Sequence, residues 1–129
     1  MEKLIIAFAS DNERHLIDDH FGEAKAYIVY EIGKEDVKLL NIVSNTSPEE
    51  QKHADPNKAK GVAGLLKPYG AQVLVNKAFG GNIKRMQTKF VCILSKADTI
   101  EESIKNIQTR FQDIVNEWER GEERDFLRL

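Results

Sequence analysis

Leu4-Ile5-Ile6-Ala7-Phe8-Ala9, closed by the turn cluster Ser10-Asp11-Asn12, is the stretch from which the rest of the chain can be read. It is apolar without alternation, as a strand must be when both faces of its sheet are covered, so it reads as a central strand of a layered α/β domain. Downstream, Ala26 to Ile32 and Val37 to Val43 are β-branched and aromatic runs joined by Gly33-Lys34-Glu35-Asp36, the length and composition of a hairpin. The first third therefore predicts three antiparallel strands.

From Asn45 to Asp55 apolar residues nearly vanish, and Ser47-Pro48 and Asp55-Pro56 mark irregular backbone, which predicts a long polar loop. Long loops in small domains are often functional. Asp55 then reads as a helix N-cap with Pro56 in the first helical position, and Ala59, Val62, Ala63 and Leu66 keep helical spacing until Pro68 and Gly70. Val73 to Val75 predicts a short buried strand, Gly80-Gly81 a turn, Ile83 to Gln87 a weak helix and Phe90 to Leu94 another buried strand. Thr99 with Glu102 forms a capping box for a last helix, along which Ile100, Ile104, Ile107, Phe111, Ile114 and Trp118 hold one face.

This order predicts an α/β domain over residues 1–118 with a five-stranded mixed sheet, its first three strands antiparallel and parallel crossovers after them. Residues 119–129, ERGEERDFLRL, form a charged tail that extends the helix, frays, or docks through Phe126 and Leu127.

A length of 129 residues with 41% hydrophobic and 31% charged side chains fits one globular core. The net charge of −2 leaves no basic excess to neutralise phosphates, so nucleic acid is not an expected partner. No apolar run approaches the roughly 20 residues a bilayer requires, and the N-terminal run is short for a signal peptide. A cytoplasmic protein without a membrane partner is the expectation. The one cysteine, Cys92, excludes an internal disulfide or a four-thiolate metal site from one chain, and its neighbours Phe90, Val91, Ile93 and Leu94 assign it to packing.

The run with chemical content is Asp18-Asp19-His20-Phe21-Gly22, in a polar loop between two apolar segments. Imidazole is an ordinary metal ligand near neutral pH. The two aspartates would favour its protonated form unless one of them accepts the second ring proton and orients the ring. The plainer reading is a turn histidine, with Phe21 anchoring the loop and Gly22 giving it freedom. His53 lies in the second polar loop, while His15 reads as an ordinary surface histidine. Gly80-Gly81-Asn82 could offer backbone amides to an anion but lacks the lysine and hydroxyl of a P-loop, and a tight turn is the commoner explanation. Lys77, Lys84 and Arg85 either balance the charge of an anionic ligand or form a solvated face.

The ordered set IIAFAS, polar loop, DDHFGEA, hairpin strands, polar loop, helix, VLV and FGGN resembles the dinitrogenase iron-molybdenum cofactor biosynthesis protein family. The resemblance runs to about Trp118 and is most specific at His20-Phe21-Gly22 and at Gly80-Gly81. It implies a ribonuclease H-like three-layer fold used to hold or carry an iron–sulfur or iron–molybdenum cluster rather than to hydrolyse. It further implies His20 as a cluster ligand, His53 as a second, and Phe21, Gly22, Gly80 and Gly81 around the cofactor. Partners would be metallocofactor assembly or acceptor proteins. The sequence departs from the family pattern where Ala54, not glycine, follows His53, and in placing Cys92 on a strand.

The expectation is thus a small non-enzymatic carrier, monomer or homodimer, the dimer offering a second set of histidines. The alternative is a protein-interaction or regulatory module of the same fold that binds a small anion or a protein partner without a cluster. A two-metal nuclease would draw on Asp11, Asp18 and Asp19, but Val75-Asn76 ends the fourth strand where that chemistry wants another acid.

Overall fold

A computed structural model describes the whole chain, Met1–Leu129. The central strand β1 (Lys3–Ser10) pairs on one side with β2 (Ala26–Gly33), antiparallel, and on the other with β4 (Val73–Asn76), parallel. The hairpin strand β3 (Val37–Ser44) flanks β2, and β5 (Val91–Leu94) runs parallel to β4. From Leu4 to Ser10 every residue of β1 except Ile5 is buried, as its unbroken apolar run requires.

Two apolar cores lie against opposite faces of the sheet. One gathers Ala7, Val29, Leu74 and Cys92 under helix α1 (Pro56–Leu66) and the short helix α2 (Ile83–Gln87). The other gathers Ile6, Phe8, Ile28 and Ile93 under α3 (Ile100–Thr109) and α4 (Phe111–Glu119). The alternation of side chains along each strand feeds both cores, giving three layers. Asp55 caps α1 by accepting from the Asn57 N–H at 3.0 Å, and Thr99 caps α3 by accepting from the Glu102 N–H at 3.1 Å.

Two expectations are corrected. The sheet has six strands rather than five, because Leu127–Arg128 adds a parallel strand, β6, beside β5, giving the order β3-β2-β1-β4-β5-β6. Arg124 holds the approach to it, donating to the Trp118 carbonyl at 2.8 Å and to the Thr88 carbonyl at 3.2 Å. A two-residue strand carries no periodicity, and its stability comes from these distant contacts. The last helix is likewise two helices, broken at Arg110 (φ −116°, ψ 24°). Ile107 and Phe111 on either side both enter the same core, so the apolar stripe crosses the break without a missed interval.

Candidate functional site

β1 and β4 are parallel neighbours, so their carboxyl ends lie at the same edge of the sheet. From that edge the chain after β1 returns toward β2 on one side while the chain after β4 goes on toward β5 on the other. Divergent connections of this kind leave a crevice at the carboxyl ends of parallel strands, a recurrent place for ligands.

The crevice is organised by Asn76, the fully buried last residue of β4. Its side-chain carbonyl accepts from the Ile17 N–H at 3.0 Å, and its amide donates to the carbonyls of Asp19 and Ala78, both at 2.9 Å. One side chain therefore binds the loop after β1 to the loop after β4. Phe21 completes the clamp. It is fully buried between Phe79, whose ring is nearly parallel at 5.1 Å, and Tyr27 at 4.8 Å, and its N–H donates to the Ala78 carbonyl at 2.9 Å.

Stacking Phe21 on Phe79 sets the preceding residue of one loop, His20, on the following residue of the other, Gly80. A methyl group built on Gly80 would stand 2.7 Å from His20 Cε1 and nearer still to Nδ1, so the imidazole would have to shift, and the φ of +73° at Gly80 strains any larger residue. Its neighbour Gly81 stands in the same relation to His53, whose Nε2 would be 2.7 Å from an added methyl. The two histidines thus rest on consecutive glycines of one turn.

The second loop is held at several points. Asn82, buried, donates to the Asp55 carbonyl at 3.0 Å, and Arg85 donates to the Ala54 carbonyl at 2.7 Å and to Asn82 Oδ1 at 3.0 Å. The Asp55 carboxylate also accepts from the Gln51 N–H at 3.0 Å. That bond, with the one from Asn57, holds its carboxyl below the usual aspartate range. Ala54, the residue after His53, takes a left-handed conformation, φ 55°. Lys58 is buried against Gly22 and donates to Ser47 Oγ at 3.0 Å, joining α1 to both polar loops.

The structure thus sets His20 on Gly80 and His53 on the adjacent Gly81, with Phe21 in the core beside Phe79 and Gly22 buried apart from them, against Lys58 and Val62 of α1. It does not bring in His15, which bonds Asn12 through Nδ1 and bridges to Thr99, or Cys92, whose thiol burial pushes up to about 12. Both aspartates before His20 are engaged away from its ring. Asp18 pairs with Lys77 at 2.6 Å, which lowers its pKa, and Asp19 accepts from the His20 backbone N–H at 2.8 Å. Lys77 also holds Asp98, at 3.0 Å, so its charge is already answered. No group of three or more His, Cys, Asp or Glu side chains is placed to hold a metal ion. The arrangement therefore offers two imidazoles beside one glycine turn and no closed set of metal-holding side chains.

The structural roles of Asn76 and Asn82, which build the site, were missed in the sequence, although Asn82 closes the FGGN segment and Asn76 ends the fourth strand. The available signal was positional, since each is a polar residue ending a buried strand or turn where the chain has no need of an amide for packing.

The family model described as dinitrogenase iron-molybdenum cofactor matches residues 2–110, ending at the residue where the last helix breaks. Among solved structures, the chain resembles a crystal structure of a Methanocaldococcus jannaschii protein described as a candidate dinitrogenase. The TM-score is 0.60 at 16% identity, covering 84% of this chain and 91% of that one. An NMR structure described in the same way, from Methanococcus jannaschii, gives a TM-score of 0.60 at 16% identity, covering 84% and 90%. At that identity the likeness speaks for the fold. A search of curated proteins finds no match.

Proposed function

This chain belongs to the dinitrogenase iron-molybdenum cofactor family, and from that premise we propose that it is a non-enzymatic carrier of an iron–sulfur or iron–molybdenum cluster. The cluster is cargo, received from and passed to metallocofactor assembly or acceptor proteins in the cytoplasm. The observation that carries this reading is the seating of His20 and His53 on Gly80 and Gly81, two glycines whose missing side chains make room for two imidazoles. Two imidazole ligands suit a cargo that must leave again, because a closed site of three or four protein ligands would retain it.

The strand order β3-β2-β1-β4-β5 with an antiparallel front supports a ribonuclease H-like ancestry for the sheet. The hydrolytic version of such a site has no foothold here. Asn76 stands where a further carboxylate would be needed, and its amide is committed to two carbonyls.

Anaerobic titration with an iron–sulfur or iron–molybdenum cluster, followed by visible absorption and bound iron, tests the proposal. Saturable binding that weakens in His20→Ala and in His53→Ala is the expected result. No binding, or binding that both substitutions leave unchanged, would overturn it.

A further inference from the structure

Between α1 and α2 runs an open groove of about 560 Å³. Its floor is closed by Ala59 and Ala63 of α1 and by Met86 and Phe90, all buried. Lys60 stands on one wall and Lys84, Arg85 and Lys89 on the other, and no carboxylate lines it. In a chain whose net charge is −2, four cations around one groove with no acid among them are a local excess.

The three lysine charges are also unspent. The ion pairs within the chain use Lys3, Lys77, Lys105, Arg110 and Arg120, and none uses Lys60, Lys84 or Lys89. All three lysines are exposed. Arg85 is fixed instead by the Ala54 carbonyl and Asn82 Oδ1, so one wall of the groove is bonded to the loop that carries His53.

We propose that this groove docks an acidic segment of a partner protein, its carboxylates received by Lys60 from one side and by Lys84 and Lys89 from the other. Charge complementarity is the argument for the occupant. A single-stranded nucleic acid would need ring faces to stack on, and Phe90, the one aromatic in the lining, is 1% exposed. A membrane surface would need large apolar side chains beside the cations, whereas the exposed ones, among them Val37, Leu39, Ile42 and Phe126, belong to other elements. A segment lying in the groove rests against the wall that Arg85 ties to the His53 loop. The inference rests on the groove alone and stands whatever the histidines carry.

The test is a titration of the 15N-labelled 129-residue chain with a Glu-rich synthetic peptide, its Gln-for-Glu counterpart and a thymidine oligonucleotide. Expected are shift changes confined to residues 57–63 and 84–90 with the Glu peptide and absent with the Gln peptide. The combined change Lys60→Glu, Lys84→Glu and Lys89→Glu should weaken binding by roughly tenfold or more, with the single Lys84→Gln giving a smaller loss in a minimally altered fold. Absent or scattered shifts, equal binding of the Gln peptide, tighter binding of the oligonucleotide, or self-association that covers the groove would each overturn the proposal.

Discussion

His20 lies so close to Gly80 that a methyl group there would stand 2.7 Å from its Cε1 and nearer still to its Nδ1. The φ of +73° at Gly80 adds a second cost to any side chain. Gly80→Ala is therefore expected to lose about 2 kcal/mol of stability or more, from left-handed backbone and steric conflict together. Gly121→Ala is the matched control, since Gly121 has a φ of +62° with nothing within 4 Å of an added methyl, and should lose only about 1 kcal/mol. Denaturant unfolding of both, with the His20 ring signals followed by NMR, checks this. Equal losses in the two variants and an unmoved His20 ring would contradict the close approach.

Asn76→Asp replaces an amide that donates to the Asp19 and Ala78 carbonyls with a group that, ionised, only accepts. A loss of about 2–3 kcal/mol is expected, with the loop bearing His20 displaced. Thermal unfolding and amide exchange at Ile17 measure it. An Asn76→Asp variant as stable as the unaltered protein, with an unchanged loop, would show that the clamp is not what positions His20.

Asp55 gives the structure a pH dependence of known sign. Its carboxyl is held below the usual aspartate value by the Gln51 and Asn57 N–H groups, so the folded state favours the charged form. The resulting stabilisation is fully present above the ordinary value of about 3.9 and is lost as pH falls below it through the folded value. The gap in melting temperature between the unaltered protein and Asp55→Asn should therefore narrow on going from neutral pH to about pH 3. A gap that stays constant or widens would contradict the assignment.

Much of this was legible in the amino-acid order. The unbroken apolar run of β1, the Asp55-Pro56 start of α1 and the Thr99 cap are local signals, and each element stands where its signal lies. The meeting of His20 with Gly80 was not legible, because it depends on the Phe21 and Phe79 rings stacking across residues far apart in sequence. β6 and the break at Arg110 were hidden for related reasons. Leu127 and Arg128 are too few to show a period, and the apolar face of α3 continues unchanged into α4.

Ala54 also holds a left-handed backbone that the sequence did not announce. Its φ of 55° costs a non-glycine residue, and the Arg85 and Asn82 hydrogen bonds around it hold the backbone there. Ala54→Gly is expected to stabilise the protein by about 0.5 kcal/mol, the relieved strain exceeding the entropy glycine loses on folding. Chemical denaturation reads this directly, and a destabilised variant would argue against the left-handed turn.

Under the proposed function, the His20 imidazole seated on Gly80 ligates the cargo. Pulsed electron paramagnetic resonance on protein with 15N-labelled histidine, loaded anaerobically with a paramagnetic iron–sulfur or iron–molybdenum cluster, tests it most directly. A coupled imidazole nitrogen that disappears in His20→Ala, with the cluster then bound more weakly, is the expected result. A loaded protein with no coupled histidine nitrogen, or one whose coupling survives in His20→Ala, would contradict it.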